Sequence, residues 1–186
     1  MTAALAAPSP LRDGDVTLLP LDAEVPALLV AASHDHEITR WTQVPAGMTL
    51  LDAGLVTAGW ASSASVVRFQ VALPDDSRVG MVTVWINNDG EAEVGYWLLQ
   101  SGRGRGVARR AVRMLCDWTF ATSDLERLQL TTMLGNTSSD KVAAACGFHP
   151  AGAVVRDVKG APQTMRLWVR TRGGAIDPTQ REASGT

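Results

Sequence analysis

Residues 95–111 read GYWLLQSGRGRGVARRA, and this stretch decides the fold. The apolar run at residues 94–99 predicts a strand, and a helical pattern begins directly after glycines 102, 104 and 106. Glycines let a turn bring its backbone close to a ligand, and a helix N-terminus attracts anions. Five arginines in this region, with no acidic residue between Gln100 and Cys116, add donors suited to phosphate. The stretch therefore predicts a site for a ligand that carries phosphates.

The composition is that of one soluble globular domain. The chain has 186 residues, 46% of them hydrophobic and 19% charged, with a formal net charge of -2. A slightly acidic chain argues against a nucleic-acid partner, which calls for a clearly basic domain. No apolar run approaches the roughly 20 residues that span a bilayer, and residues 1–10 lack the basic start of a signal peptide. We expect a cytoplasmic protein with no membrane partner, a flexible leader at residues 1–10 and a flexible tail at residues 172–186.

The part of the chain before the opening stretch predicts two helices and a run of antiparallel strands. Residues 15–19 form a strand candidate, and residues 21–33 and 49–62 have helical spacing, with a polar segment at 34–43 between them. Thr49 and Asp52 are a possible cap of the second helix, and Leu51, Leu55 and Trp60 its buried side. Residues 66–73, 78–86 and 92–99 are strand candidates, joined by turn sequences at 74–77 and 87–90.

The part after the opening stretch predicts a crossover. A strong helical pattern covers residues 106–122 and an alternating strand covers 127–134, which implies a right-handed connection and parallel pairing. A short helix follows at 138–146, opened by a capping box from Thr137 to Asp140 and closed by Gly147. Strands at 153–158 and 164–171 complete the chain. We therefore predict an α/β (α+β) domain over residues 11–171, with a mixed, mostly antiparallel sheet flanked by helices.

The cysteines and most tryptophans read as core residues. Cys116 and Cys146 lie in apolar helical patterns without metal-ligand spacing, which favours reduced, buried thiols and no metal site. Four tryptophans fall in strand or helix patterns and are expected in the core: Trp85, Trp97, Trp118 and Trp168.

The glycine series at 102, 104 and 106 resembles a dinucleotide-binding fingerprint, but its context argues against that fold. Such a fingerprint opens a repeating strand-helix-strand unit and has an acidic residue about 20 residues on, at the end of the next strand. Here three antiparallel strands come first, and the next strand ends in Met133 and Leu134. The chain also has no Gly-Lys-Ser/Thr sequence for a nucleotide P-loop.

The segment at residues 103–108, RGRGVA, fits the Arg/Gln-x-x-Gly-x-Gly/Ala signature of the GNAT N-acetyltransferases. Residues 93–98 (EVGYWL) resemble the end of the fourth strand in the RimJ/RimL-like branch, the ribosomal-protein N-terminal acetyltransferase-like enzymes. Residues 11–16 are similar to the branch's opening strand and residues 37–41 to its N-terminal helical region. Residues 136–139 (NTSS) and 146–148 (CGF) are similar to its Asn-x-x-Ser and Ala-Gly-Phe segments. The resemblance covers roughly residues 11–170.

This resemblance implies a GNAT-like sheet whose fourth and fifth strands splay apart, with acetyl-CoA as the co-substrate and no metal. It implies transfer of acetyl to a primary amine by direct attack in a ternary complex, and the branch favours the α-amine of a protein or peptide. Two alternatives stay open. The acceptor is a small amine such as an antibiotic, a polyamine or an amino acid, or the chain is a non-catalytic acyl-CoA-binding module. A homodimer is also compatible with the resemblance.

The resemblance also implies site residues. Pyrophosphate would bind the amides of the RGRGVA segment and pantetheine would lie beside the end of the preceding strand, which gives these cofactor-binding candidates: Leu98, Leu99, Gln100, Arg103, Gly104, Arg105, Gly106, Val107, Ala108, Asn136 and Ser139. A backbone N–H in residues 98–100 is the candidate donor to the thioester carbonyl.

Acyl transfer to an amine needs a base for the amine and an acid for the departing thiolate. Glu93 is the candidate base. The alternative is that Glu93 is only a solvent-facing residue of its strand. Ser139 is the candidate acid. The alternative is that Ser139 is only a residue in the first turn of the short helix at 138–146. Many GNAT enzymes have a tyrosine acid where this chain has Ala143, and the only tyrosine here is Tyr96.

The residues expected to bind the acceptor are His36, Trp41 and Tyr96. The first two fall in the N-terminal lobe, which walls the acceptor site in this family, and Tyr96 would pack or shape the pocket. The alternative for His36 is a surface residue in a polar connection.

Overall fold

The computed structural model describes residues 8–60, 65–86 and 91–174. Its strands form one sheet of eight strands in the order β1-β2-β3-β4-β5-β6-β8-β7. The strands are β1 Leu11–Asp13, β2 Val16–Leu19, β3 Val66–Ala72, β4 Arg78–Ile86, β5 Ala92–Leu98, β6 Arg127–Met133, β7 His149–Val158 and β8 Ala161–Thr171. The helices are α1 Val25–Ser33, α2 His36–Trp41, α3 Leu50–Trp60, α4 Val107–Thr122 and α5 Thr137–Ala145, with a 3-10 turn at Gln100–Gly102.

The sheet opens between its two central strands. Neighbouring strands pair antiparallel except β5 and β6, which are parallel and joined through α4, as the sequence predicts. Their register contains two residue pairs, Ala92 with Leu128 and Glu93 with Gln129. Beyond Glu93 the strands separate, and we call the gap between residues 94–98 of β5 and 130–133 of β6 the fork. The expected splayed strands and mixed sheet are therefore confirmed, and Glu93 lies at the closed end of the fork.

The main core lies between the sheet and α4. Val107, Ala111, Val112 and Leu115 recur on one side of α4 and are fully buried, while the helix's arginines lie elsewhere. Burying one such leucine side chain stabilises the fold by about 1.5–3 kcal/mol. Cys116 and Cys146 are free and buried, so the expectation of reduced core thiols is confirmed.

The tryptophans divide into two groups. Trp118 and Trp168 are 8% and 6% exposed, and the edge of Trp118 packs on Phe69 with ring centroids 5.3 Å apart. Trp97 is partly buried and packs against a second, smaller core cluster of Leu29, Met48 and Ala53. Trp85 is only partly buried and belongs to neither cluster, so its expected place in the core is wrong. Both tryptophans occupy the face of their strands opposite α4, which we call the open face.

The N-terminal lobe differs from the predicted elements in its first part. The opening strand is a hairpin, because Gly14 adopts a φ of +60° and turns the chain between β1 and β2. Helix α1 begins at Val25 rather than at residue 21, with proline in its first turn, and Asp22 accepts from the amide of Glu24 before the helix starts. Helix α2 forms within the polar segment, where the family resemblance places a helical region.

Helix α3 has the predicted cap but not the predicted buried side. Thr49 and Asp52 each accept a hydrogen bond from the other's amide, at 3.2 and 2.9 Å, so the cap is confirmed. Leu51 and Leu55 are 73% and 68% exposed, and their expected burial is wrong. The side that packs inward carries Ala53, which is fully buried, together with the partly buried Trp60. Apolar residues occur on two sides of this helix, so spacing alone does not select the packed side.

Helix α5 is capped one residue earlier than expected. Asn136 accepts from the amide of Ser139 at 3.1 Å, so the proposed capping box from Thr137 to Asp140 is wrong. Asp140 instead accepts from Thr132 Oγ1 at 2.7 Å and pairs with Arg166, which ties the helix to β6 and β8. Gly147 takes the predicted left-handed conformation, with a φ of +81°.

The ends of the domain are partly described. Arg172, placed in the tail by the sequence analysis, donates to the carbonyl groups of Ser123 and Leu125 at 2.6 and 2.7 Å. Its backbone N–H donates to the Glu126 carbonyl oxygen at 2.9 Å, so backbone and side chain both bond to the segment that follows α4. The predicted turn at residues 87–90, the end of the helix predicted to reach residue 62, and most of the leader and tail lie outside the described residues. No helix in the described ranges is long and apolar enough to cross a membrane.

Candidate active site

The turn between β5 and α4 presents a row of backbone N–H groups that donate to no described residue. Arg103 N–H donates to Gln100 at 3.2 Å and Arg110 N–H donates to Gly106 at 3.2 Å. The amides of residues 104–109 make no hydrogen bond to any described residue. We call residues 104–109 the amide cradle; it begins one residue later than the predicted segment at 103–108. Several N–H groups at the start of a helix, aligned with its dipole, form an anion site.

The three glycines of the turn have different tasks. A Cβ at Gly102 would lie 3.0 Å from Val79 Cγ2, so this glycine permits packing of the turn against β4. Gly104 and Gly106 have φ values of +76° and +72°, and a Cβ on either would meet no atom within 4 Å. Both glycines therefore make the left-handed turn and leave open space in front of the amide cradle.

The arginines of this segment fall into two groups, those paired with aspartates and those whose side chains are unpaired. Arg110 pairs with Asp15, and Arg113 pairs with Asp13 at 2.8 Å, so both join α4 to the β1–β2 hairpin. Arg105 and Arg109 are exposed, and their side chains bond to no described residue. Of the arginines along this segment, these two have guanidinium groups free for an anion at the cradle.

Arg103 is bonded within the protein and stabilises the turn. Its Nε donates to the carbonyl oxygen of Leu98 at 2.9 Å, and its Nη2 donates to Asp35 Oδ1 at 2.8 Å. Its amide is bonded within the 3-10 turn. Both its backbone donor and its side chain are therefore engaged, while Arg103 also lines the cavity, and its role in binding the cofactor stays a prediction.

A cavity of about 1140 Å³ fills the fork and continues over the open face of β3, β4 and β5. One end meets the turn, where Arg103, Gly104 and Ala108 line it, and the other reaches α2 and the β7–β8 region. A volume of this size accommodates a ligand larger than a typical drug molecule. The cavity therefore connects the amide cradle with the N-terminal lobe.

The edge of β5 offers backbone groups to this cavity. Leu99 N–H donates to Val79 at 2.7 Å, so by the alternation of an antiparallel pair Tyr96 and Leu98 direct their backbone groups away from β4, into the fork. The Leu98 carbonyl oxygen already accepts a hydrogen bond from Arg103 Nε. The amides of Tyr96 and Leu98 are thus the donors at the fork, whereas the Leu99 amide, within the predicted 98–100 segment, is already bonded. Leu99 and Gln100 line a second cleft of about 750 Å³ beside the fork.

Glu93 lines the cavity from the closed end of the fork. It is 5% exposed, which rules out the alternative of a solvent-facing strand residue. Thr131 Oγ1 donates to Glu93 Oε1 at 2.6 Å across the fork, and Arg156 Nη2 lies 3.8 Å from Oε2. These contacts fix the carboxylate while one side of it faces the cavity.

Ser139 lies opposite, in the first turn of α5. Tyr96 OH donates to Ser139 Oγ over 3.0 Å, and the Asn136 side chain accepts from the Ser139 amide. Burial raises the pKa of Tyr96 to about 12, with the hydrogen bond to Ser139 opposing the rise, so its phenol is protonated at neutral pH. Tyr96 therefore contacts the candidate acid, a contact that sequence reasoning did not anticipate.

The predicted acceptor residues do not all meet in one place. Trp41 lines the main cavity, and its Nε1 donates to Glu37 at 2.9 Å. His36 does not line this cavity; its side chain is 83% exposed and borders the second cleft beside Gln100 and Arg103. His36 follows the N-cap Asp35 at the start of α2, and its role in binding the acceptor stays a prediction.

The open face supplies cavity residues that the sequence analysis missed. The ring of Trp85 lies over Gly95, where a Cβ would be 2.9 Å from the ring, so the absent side chain leaves room for the indole. Arg68 on β3 and Arg156 on β7 also line the cavity. The signal for Trp85 was the strand alternation, which puts it on the same face as Glu93. No local signal identified Arg68.

No group of three or more histidine, cysteine, aspartate or glutamate side chains comes together as a metal site within the part of the chain that is described. The carboxylate and guanidinium groups that line the cavity are Glu37, Glu93, Asp157, Arg68, Arg103 and Arg156.

Comparison with known proteins now identifies the class of this fold. Residues 15–149 match the family model described as Acetyltransferase (GNAT) domain, and the chain belongs to this family. Over 88 residues it is 31% identical to the probable N-acetyltransferase YjcK of Bacillus subtilis (strain 168), covering 46% of this chain and 49% of that protein. The chain thus spans about half the length of the curated relative.

Two solved structures share the fold. RimJ of Mycobacterium smegmatis, in complex with CoA-disulfide, is 25% identical with a TM-score of 0.76, over 94% of this chain and 90% of that one. A spermidine N-acetyltransferase from Vibrio cholerae, in complex with CoA and spermine, is 17% identical with a TM-score of 0.76, over 87% and 98%. The family match and the likeness to RimJ confirm the resemblance to the RimJ/RimL-like branch.

Proposed function

We propose that the protein is an acetyl-CoA-dependent N-acetyltransferase that acts on the α-amine of a protein or peptide by direct attack in a ternary complex. The observation that carries the proposal is the fork with the amide cradle at its open end. The cradle offers anion donors, the fork offers unbonded strand amides, and a buried carboxylate lies at the closed end.

The residues present fit coenzyme A. Its pyrophosphate would accept from the amides of residues 104–109, where Gly104 and Gly106 leave the approach open and Arg105 and Arg109 supply charge. Its pantetheine amides would pair with the edge of β5 at Tyr96 and Leu98, as an added strand does. Asn136 keeps its side-chain N–H₂ group available, since only its oxygen caps α5. The bound co-substrate supplies an acetyl group activated as a thioester.

Glu93 would take the proton of the attacking amine, directly or through a water molecule. Its carboxylate is fixed by Thr131 and Arg156 and faces the same cavity as the fork. A positioned general base of this kind contributes about 10²–10⁴ to the rate. The backbone N–H groups of Tyr96 and Leu98 would stabilise the oxyanion, which needs no particular side chain.

Ser139 would protonate the departing thiolate, and Tyr96 would support it. Since Tyr96 OH donates to Ser139 Oγ, the serine proton is left free to point into the cavity. The N-terminus of α5 adds a dipole that favours negative charge there. Glu93 and Tyr96 are three residues apart on β5 and leave it on opposite faces. Base and acid would therefore act on the reacting carbon from opposite sides of the fork.

A small amine is the second candidate acceptor. Glu37 and Asp157 line the cavity near α2 and β7, and carboxylates there would attract a polycation. The Vibrio cholerae enzyme with the same fold has spermine in its complex. The third candidate, a non-catalytic acyl-CoA-binding module, would use the cradle alone.

The test is thiol release from acetyl-CoA, measured with a panel of free N-terminal peptides, polyamines and amino acids, together with calorimetry of CoA binding. We expect CoA to bind and a peptide to give the highest kcat/KM. Faster turnover of a polyamine would favour the small-amine candidate, and CoA binding without turnover of any acceptor would favour the binding module. If CoA does not bind, the proposal fails.

A further inference from the structure

Arg68 is a charged cavity residue that forms no ion pair or side-chain hydrogen bond with any described residue. It lies on β3, is partly buried, and lines the cavity on the same open face as Glu93. Its guanidinium stacks on Trp60 at the end of α3, 4.3 Å from the ring centroid. Among the described residues, Trp60 is the one charged or aromatic residue that Arg68 contacts, and none accepts a hydrogen bond from it.

The other arginines of the cavity are engaged. Arg103 holds Asp35, and Arg156 lies 3.8 Å from Glu93. Burial lowers the pKa of Arg68, with no carboxylate to oppose the shift, although a guanidinium stays charged at any physiological pH. A partly desolvated cation without a counter-ion is unfavourable for the free protein, and a ligand anion would relieve that cost.

The chemistry of the Arg68 guanidinium suits a carboxylate. A guanidinium is planar, and its N–H groups can form two parallel hydrogen bonds to the two oxygens of a carboxylate. The contact of Arg68 Cζ with the Trp60 ring, 4.3 Å from the ring centroid, restricts the side chain while it lines the cavity.

The sheet register gives the distance from the reaction centre. Arg68 pairs with Thr83 and Thr83 with Gly95, so Arg68 lies two strands from β5, about 10 Å at the usual strand spacing. Glu93 is two residues from Gly95 on the same strand face. An extended peptide covers that distance in about three residues.

The acidic side chains of the cavity and its unpaired arginine lie on different elements. Its acidic side chains other than Glu93 come from α2 and β7, and Gln43 Nε2 joins these two parts by donating to the Asp157 carbonyl oxygen at 2.7 Å. Arg68 comes from β3, on the other side of β5 in the sheet order. An acceptor that meets Glu93 with its amine can therefore extend toward positive charge in the β3 direction.

We propose that Arg68, stacked on Trp60, binds a carboxylate of the acceptor, and that the preferred acceptor is a peptide with an acidic side chain two to four residues after its free α-amine. This inference rests on the proposed acetyltransferase function and adds its substrate class. The same chemistry is available from a small ω-amino acid, which the experiment separates from a peptide.

The experiment compares C-terminally amidated peptides that carry Glu or Gln at position 2, 3, 4 or 5, in a neutral background. We expect kcat/KM to be about tenfold higher for Glu than for Gln at one position, consistent with one charged hydrogen-bonded pair. The preference should fall to within about twofold in Arg68→Gln, persist in part in Arg68→Lys and reverse in Arg68→Glu. Arg12→Gln, which removes an exposed charge on β1 outside the cavity, should keep the wild-type preference.

The small-molecule arm uses 6-aminohexanoate against hexylamine. If the ratio of kcat/KM for 6-aminohexanoate over hexylamine depends on Arg68 and exceeds the ratio for Glu over Gln peptides, Arg68 binds small amino acids. That result would overturn the peptide assignment. Equal rates for Glu and Gln peptides at every position, or a preference that survives Arg68→Gln, would overturn the role of Arg68 while leaving the proposed function intact.

Calorimetry with CoA present separates the two proposals. If no peptide is acetylated but the Glu peptide binds more tightly than the Gln peptide, and only when Arg68 is present, the carboxylate site stands and the proposed function falls. Equal binding, or no binding of either peptide, overturns the carboxylate site. Thermal unfolding of each variant confirms that the fold is kept.

Discussion

Arg103 donates to Asp35 over 2.8 Å, and the same oxygen of Asp35 caps α2 by accepting from the amides of Glu37 and Ile38. One end of this ion pair is the first residue of the family signature, and the other starts the helix that carries Trp41. Arg103 Nε also donates to the carbonyl oxygen of Leu98 at the end of β5. The pair therefore joins the turn that we assign to the donor with the lobe that we assign to the acceptor.

Removing Asp35 should destabilise the fold by two separable amounts. Asp35→Ala loses the cap of α2 and leaves the partly buried Arg103 without its partner, which together should lower the free energy of unfolding by about 1–3 kcal/mol. Asp35→Asn keeps an oxygen for the cap and should lose less. Urea unfolding measures both. Asp13→Asn, at the more exposed pair with Arg113, is the control and should cost about 0–1 kcal/mol. Equal losses in both Asp35 variants would contradict the separation.

The contribution of Asp35 should depend on pH in a defined direction. Burial by itself would raise the pKa of Asp35, but hydrogen bonds from Arg103 and the helix amides hold it below its ordinary value of 3.8. A lowered native pKa gives stability that is complete above the unfolded pKa and is lost as pH falls through the native one. The difference between wild type and Asp35→Asn should thus be constant from pH 7 to 5 and shrink below pH 4. Urea melts across that range check it, and a constant difference down to pH 3 would refute it.

Much of the fold follows from local patterns in the sequence. Strand alternation, the glycines of the turn and the cap at Thr49 each depend on a few neighbouring residues, and the structure has them where the sequence predicts them. The parallel crossover follows from the chain order of strand, helix and strand. The fork came from the family resemblance, since nothing in the pattern of β5 or β6 marks where their pairing stops.

The errors concern choices that only tertiary packing makes. Leu51 and Leu55 have good helical spacing, yet α3 packs through Ala53 because the small residue allows close approach to α1. Trp85 faces a cavity that exists because Gly95, on the neighbouring strand, has no side chain. Nothing in the sequence tells whether Arg68 or Arg103 forms an ion pair. The structure pairs Arg103 with Asp35 and gives Arg68 no carboxylate among the described residues.

The amide cradle should tolerate a methyl group better than a negative charge. Gly106→Glu adds a carboxylate where anions bind and should weaken CoA binding by more than about tenfold, the amount of one lost charged contact. Gly106→Ala imposes the strain of a φ of +72° but meets no atom within 4 Å, so it should lose stability of about 1 kcal/mol and keep most of its CoA affinity.

Calorimetry with CoA and urea unfolding separate these two effects. Gly47→Glu is the control, because Gly47 has a similar φ of +71° and equally open surroundings away from the turn. It should lose stability without losing CoA affinity. Normal CoA affinity in Gly106→Glu would mean that the phosphates bind elsewhere.

Glu93→Gln should lower the rate most at low pH. There the amine is protonated and a base is needed, whereas above the amine pKa of about 8 the free amine can attack unaided. At neutral pH we expect kcat/KM to fall by about 10²-fold with unchanged CoA affinity. The pH profile of thiol release is the measurement. Thr131→Val, which removes the hydroxyl that donates to Glu93, should give a smaller loss of kcat/KM. An unaltered pH profile in Glu93→Gln would assign that carboxylate a structural role with Arg156.

Ser139 and Tyr96 should act as one unit. Ser139→Ala removes the group that we assign to protonate the thiolate, and Tyr96→Phe removes the hydroxyl that donates to it, so each should lower kcat by about 10- to 100-fold. Because Tyr96 acts through Ser139, the double variant should be no slower than Ser139→Ala, and a double-mutant cycle of kcat measures this coupling. Thr137→Ala changes an exposed hydroxyl in the same helical turn and should leave kcat unchanged. Additive losses would mean that the two hydroxyls act independently, and a normal rate in Ser139→Ala would move the acid to another group in the fork.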